Sequence, residues 1–368
     1  MTSQVREGFN PDVAVGPGET LLEWLEENAM TQSDFALRVG LSPKTLNQII
    51  KGKAPLSQET ALKLERITNI PANFWNAREA IYREELTRAL ETESLERDLE
   101  LLKFLPLNEM KKRNFISGTK TSKVETLREV LSFFMVANSE AWHNVWATPN
   151  VAFRKSSAFE SSIGAVATWL RIGELEASKL NLSEFNCDGL KRSLVDLRRV
   201  TLETSGEKVG PRLVEICSKV GVGISFVPEI PGTRLSGATR WVGGHPIIQL
   251  SLRHKSEDHF WFSFFHELGH VLLHPRGDVF IENSDWEFNR GAQRLENEAN
   301  KFSENTLIPE ENRERFSGLR SIDSILEFAS DIGIAPGIVI GRLQKEGILR
   351  FSQFNGYKRR FVFTSSEQ

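Results

Sequence analysis

The sequence predicts a mostly helical α+β chain: an all-α N-terminal domain, a helical middle region, and a C-terminal domain in which a small sheet packs on helices. Three observations predict it. Apolar residues recur at helical spacing over most of the chain from Leu21 to Val220. Between Val222 and Leu252 the period shortens to that of strands, with Pro and Gly at the turns. A long apolar helical run, Asp258–Leu273, then follows. The length of 368 residues suits two or three domains. With 40% hydrophobic and 26% charged residues, each domain can bury a core.

Residues 1–18, rich in Gly, Pro and polar side chains, predict a flexible arm. Residues 19–76 form the first domain. Leu21, Leu22 and Leu25 open a helix, and Thr31–Val39 forms a second with Phe35, Ala36 and Val39 inward. Gly40-Leu41-Ser42-Pro43 supplies a helix stop, a turn, an N-cap and a proline at the first helical position. The next helix continues from Thr45 to Ile50 and ends at Gly52, and another spans Gln58–Ile67 until Ile70-Pro71 breaks it. A long helical stretch over residues 74–105 leads into the middle region, residues 77–209. Its Leu95, Leu99 and Leu102 form a stripe suited to core or to a dimer seam. Further helices are expected over Val124–Ala137, Ser162–Ile172 and Leu190–Glu203. In the domain at residues 210–315, the helix Arg212–Val220 precedes strands at 222–227, 237–242 and 247–252. The helix Asp258–Leu273, a Gly/Asp/Asn loop and a helix over Arg294–Thr306 complete it. Residues 316–368 add short helices and a last strand, Arg360–Thr364.

The net charge of -3 excludes a protein that coats nucleic acid indiscriminately, so any such contact needs a local basic face. One exists. Between Phe35 and Gln58 stand Arg38, Lys44, Lys51 and Lys53 with no acidic residue. The pair of helices over residues 31–52 fits a helix-turn-helix, with Leu41, Leu46 and Ile49 joining them. Lys44, Thr45, Asn47, Gln48 and Lys51 are then left on the solvent side of the second helix, flanked by Ser42 and Lys53. Amides suit adenine, lysines suit guanine or phosphate, and Gln32 suits a phosphate contact. The stretch from Pro17-Gly18-Glu19 to Ala72-Asn73-Phe74-Trp75, with Gln32 and the Lys51-Gly52-Lys53 turn, resembles the helix-turn-helix domain of HigA-type (Xre-type), Cro/repressor-like antitoxins and regulators. The resemblance implies binding to a double-stranded DNA operator as a symmetric homodimer.

His266-Glu267-Leu268-Gly269-His270 lies on the apolar helix. Residues four apart share a helix face, so both imidazoles can reach one Zn²⁺ with Glu267 beside the water it activates. Ionisable groups in so apolar a segment (Phe260-Trp261-Phe262-Ser263-Phe264-Phe265 before, Val271-Leu272-Leu273 after) are costly unless something pairs them. A third ligand is expected in Leu295–Phe302. If Leu295, Ala299 and Phe302 are the buried stripe, Glu298 points to the metal, with Glu296 the alternative. The stretch Pro246–His274, followed by Glu298-Ala299-Asn300-Lys301-Phe302 and Leu307-Ile308-Pro309, resembles the ImmA/IrrE metallopeptidase family. That resemblance implies a zincin-like fold and gluzincin-like ligation by His266, His270 and Glu298, with Glu267 as general base. Ser303, Glu304 and Asn305 depart from the small residues usual there. His274 is expected beside the site or at the helix end. His254 and His259 flank the start of the helix, where either can steady an oxyanion or be merely solvated. Tyr82 and Tyr357 are the only tyrosines, too few to expect a tyrosine donor, and Arg240 and Trp241 are expected to pack structurally.

Cys187 and Cys217 show no metal or disulfide spacing and suit a reducing compartment, no secretory start is visible, and the most apolar run carries His and Glu. The expectation is a cytoplasmic protein without a membrane partner. Two readings follow from the resemblances. One is a regulator whose zinc endopeptidase cleaves a repressor or partner protein in a stress, toxin-antitoxin or mobile-element response. The other is a HigA-like antitoxin or autorepressor, partnered by a cognate toxin, whose peptidase-like domain only senses or binds.

Overall fold

A computed structural model of the chain describes residues 15–118, 122–147, 157–276, 279–282 and 290–362. The chain divides into two compact units, Met1–Asp98 and Leu99–Gln368.

The first unit is all helical: α1 (Pro17–Glu27), α2 (Gln32–Val39), α3 (Pro43–Ile50), α4 (Gln58–Thr68) and α5 (Ala72–Arg97). Local chemistry sets the boundaries. Thr31, Ser42 and Ser57 cap α2, α3 and α4 by accepting the backbone N–H three residues on. Gly40 ends α2 in the left-handed conformation (φ 73°), which a side chain would strain. Leu21, Leu25, Phe35, Ala36, Leu46, Ile49, Leu64 and Trp75 form its core. Helix α1 begins at Pro17, with Pro17 and Gly18 buried, so the expected arm gives way to helix before residue 19. The rest of that arm, residues 1–14, lies outside the described residues.

The second unit opens with a 3-10 turn, Leu99–Phe104, then α6 (Leu107–Lys112), α7 (Lys123–Phe134), α8 (Ser139–Trp142), α9 (Ser157–Ala177), α10 (Cys187–Arg199) and α11 (Gly206–Ser218). Strands β1 (Gly223–Phe226), β2 (Gly237–Val242) and β3 (His245–Leu250) lead to α12 (Glu257–Leu273), β4 (Phe280–Glu282), α13 (Arg290–Leu307), α14 (Ile322–Ile332) and α15 (Pro336–Lys345). The sheet order is β1-β3-β2-β4; β1 runs parallel to β3, and the other pairs are antiparallel.

Strand alternation decides which helix meets which face. Ile224, Ile248 and Leu250 join the core built by Trp261, Phe264, Phe265 and Leu268 of α12. Gln249 points the other way, where its side-chain amide donates to the Trp169 carbonyl of α9 at 2.8 Å. Trp169 in turn donates its indole N–H to Val227 at 3.0 Å. Trp261, Phe264, Phe265 and Leu268 have no exposed surface, and each contributes about 1.5–3 kcal/mol by leaving water. The apolar flank of α12 is thus an anchor against the sheet. It leaves the opposite flank free to carry polar groups.

The fold class agrees with the expectation, and three local readings are corrected. The last strand is a single bridge from Arg360 to Ser256, and residues 363–364 lie outside the described residues. Part of the expected Gly/Asp/Asn loop is the three-residue strand β4, too short to show a period. The leucine stripe breaks at Asp98, where α5 ends and a 3-10 turn rotates the phase, so Leu101 rather than Leu102 is buried. Among the described residues, no single helix is long and apolar enough to cross a membrane.

Candidate metal centre and nucleic-acid interface

Helix α12 presents His266 and His270 away from its aromatic anchor and turns Glu267 toward β2, with exposures of 1%, 2% and 0%. Gly269 lets α13 come close: a Cβ there would sit 3.2 Å from the Ala299 Cα and 3.1 Å from the Phe302 ring. The close approach delivers Glu296. Its Oε2 lies 3.1 Å from His266 Nε2 and its Oε1 lies 3.5 Å from His270 Nε2, and the two imidazole nitrogens are 3.0 Å apart. Ligands of a tetrahedral zinc about 2.0–2.1 Å from each donor would stand about 3.3 Å from one another. The three observed separations bracket that value.

The placement of the acid corrects the sequence reading. Glu296 faces the two histidines and is 6% exposed, whereas Glu298 does not join them. The buried stripe of α13 is Glu296, Ala299, Ser303 and Leu307, with Leu295 and Phe302 only half-buried. Anchoring the stripe on Leu295 and Phe302 turned the helix by too much. Glu298 instead accepts from Arg294 Nε at 2.8 Å and from His274 Nε2 at 3.3 Å.

Hydrogen bonding fixes what the imidazoles offer. Asn300 Oδ1, an acceptor only, lies 3.0 Å from His266 Nδ1, so that nitrogen carries a proton and Nε2 is the atom a metal would take in exchange for its own proton. His270 Nδ1 is engaged by His274 Nδ1 at 2.9 Å, leaving its Nε2 turned to His266 and Glu296. Two lone pairs and a carboxylate converging in a dry pocket repel one another unless a cation joins them. The donor set fits a divalent ion of zinc type. The electrostatics agree. Burial pushes the His266 imidazole down, but Glu296, Glu282 and Glu267 outweigh it and hold the ring up at about 9, so the pocket favours positive charge there. His270, buried and next to two other histidines, is pushed well below the usual range.

Glu267 lies under β2. Thr239 Oγ1 donates to its Oε2 at 2.6 Å, while Oε1 has no partner among the described residues. Gly237, on the same face two residues earlier, leaves the room: a Cβ there would stand 2.5 Å from that Oε1. Burial raises the Glu267 carboxyl well above its ordinary range. Such a group is placed to take and return a proton. Thr239→Val removes its one side-chain donor and is expected to cost about 1–3 kcal/mol in denaturant unfolding. Thr239→Ser should retain most of that stability; a Val variant as stable as wild type would deny the bond any role.

A cleft of about 990 Å³ opens on His266, Glu296 and Asn300 and extends past His254, His259 and Phe262. The rings of His254 and His259 stack at 4.4 Å on its wall. Tyr357 and Arg240 do not line it; Arg240 packs over Trp146 at 4.8 Å and pairs with Glu174 at 3.4 Å. Of the departing residues, Ser303 donates to the Phe262 carbonyl and Glu304 pairs with Arg342 and Lys345, so neither disturbs the ligand set. Sequence reasoning missed Thr239, Asn300 and Glu282. Asn300 was discoverable as the residue one turn after Glu296; Thr239 and Glu282 come from the sheet, and only its register brings them near.

In the first unit, Gln32, Ser42, Lys44, Gln48, Lys51 and Lys53 are exposed, and Thr45 and Asn47 are half-buried. Asn47 reaches Gln32 at 3.5 Å, so the start of α2 and the middle of α3 share one polar surface. Ser42 Oγ accepts from the Thr45 N–H at 3.0 Å, which makes it first a helix cap.

The chain combines two recognised modules: residues 21–75 match the helix-turn-helix family model, and residues 220–343 match the IrrE N-terminal-like domain, a peptidase family. Among solved structures, the Pseudomonas aeruginosa antitoxin HigA with higBA promoter is similar at 25% identity, over 23% of this chain and 95% of that chain, with a TM-score of 0.22. No curated protein matches the chain.

Proposed function

We propose that the protein is a DNA-binding transcriptional regulator carrying a zinc-dependent endopeptidase. Residues 19–76 serve as the DNA reader and residues 210–315 as the peptidase. The observation that carries the reading is the convergence of His266 Nε2, His270 Nε2 and the Glu296 carboxylate beside the unpartnered Oε1 of Glu267. A zinc ion on these three ligands would polarise a peptide carbonyl and acidify a water. Glu267 takes the proton of that water at Oε1 and returns it to the leaving amine, with Thr239 holding the other oxygen. Gly237 keeps the space open. The cleft of about 990 Å³ has room for a short stretch of peptide, which favours a protein substrate such as a repressor, cleaved in a stress, toxin-antitoxin or mobile-element response in the cytoplasm. Terminal-amine profiling of cells that express the wild type or a Glu267 variant tests the reading directly.

The helix-turn-helix unit would hold the protein, as a homodimer, on an operator. Lys44 is assigned to phosphate and Gln48 to a base edge. On a duplex selected from a random pool, Lys44→Ala should weaken binding to all sequences and lower the salt slope by about 1. Gln48→Ala should cost about 1–3 kcal/mol and relax preference at one base pair. Anisotropy titrations over a salt series read both; an unchanged slope for Lys44→Ala would remove it from the interface.

A further inference from the structure

We infer that His274 and Glu298 form a positioning pair that fixes the tautomer and orientation of His270 for metal binding; the inference rests on the zinc reading above. Glu298 is a carboxylate and only accepts, so His274 Nε2, 3.3 Å away, carries a proton. In the neutral His274 ring Nδ1 then holds a lone pair, and the group 2.9 Å from it is His270 Nδ1. That nitrogen must donate. His270 is thereby left with its Nε2 lone pair on the side of His266 and Glu296, the one tautomer that can ligate.

The rings are also held in place. His270 stacks on Phe280 at 4.0 Å with 17° between planes, and His274 contacts the same ring at 5.2 Å. His274 is 8% exposed at the C-cap of α12, and Arg294 Nε holds the outer oxygen of Glu298 at 2.8 Å. His266 is served separately by Asn300, so this pair concerns His270 alone. It also gives Glu298, displaced from the ligand set, a task of its own.

Zinc affinity of the full chain, measured by competition with a chromophoric chelator, tests the inference without any assay of cleavage. His274→Phe and Glu298→Ala should each weaken zinc by about 10–100-fold. Glu298→Gln keeps an oxygen acceptor and should restore most of the affinity. The double variant His274→Phe/Glu298→Ala should be no weaker than His274→Phe alone, because Glu298 acts only through His274. The visible spectrum of Co²⁺-loaded Glu298→Ala should differ from wild type, while the unfolding midpoint of the metal-free protein stays the same. Wild-type zinc affinity in both single variants, or losses that add in the double variant, would overturn the pairing while leaving the zinc site intact. A wild type that binds no zinc would overturn the underlying reading as well, so the two failures are told apart by the wild-type titration.

Discussion

Glu267→Gln should stop cleavage while zinc stays bound. The amide keeps the size of the carboxyl group and can still accept from Thr239, but it cannot take a proton from water. The loss of a general base is worth about 100- to 10,000-fold in rate. Profiling of new protein N-termini in cells should therefore show fragments with the wild type that vanish with the variant. Zinc content, which the proposed site assigns to His266, His270 and Glu296, should be unchanged. Fragments that persist at wild-type level would remove Glu267 from the chemistry. If the wild type yields none and Glu267→Gln is silent, the domain is a sensor or partner-binding module instead.

The second large effect separates two neighbouring acids. Glu296→Ala removes one of three donors and leaves two imidazole lone pairs 3.0 Å apart in a dry pocket. Zinc should be lost on dialysis against a weak chelator. The companion Glu298→Ala should reduce affinity only by the about 10–100-fold typical of an outer partner. Metal analysis after dialysis distinguishes them. A Glu298→Ala variant that empties while Glu296→Ala stays loaded would reverse the two roles.

Much of this site was legible in the sequence because its key spacing is short and helical. His266 and His270 are one turn apart, and apolar residues on both sides of the motif, aromatic before it and aliphatic after it, fix which flank of α12 is buried. The helix-turn-helix was legible for similar reasons: Thr31, Ser42, Ser57 and Gly40 mark helix ends through local hydrogen bonds and backbone conformation. The acid of α13 was harder. Glu296 and Glu298 are two residues apart, so choosing between them needs the phase of a helix whose buried stripe includes the polar Glu296 and Ser303. Hydrophobicity alone therefore pointed the wrong way. Thr239 and Gly237 were invisible for another reason. Their relation to Glu267 depends on the β2–β3 register and on which sheet face α12 covers, both set by long-range packing rather than by local pattern.

In the proposed site helices α12 and α13 share one divalent ion. X-ray absorption at the zinc edge of the purified full chain addresses it most directly. The expected result is one zinc with two imidazole nitrogens and a carboxylate oxygen at about 2.0–2.2 Å, and imidazole scattering halved in His270→Ala. Absence of bound zinc, or a shell without imidazole, would contradict it.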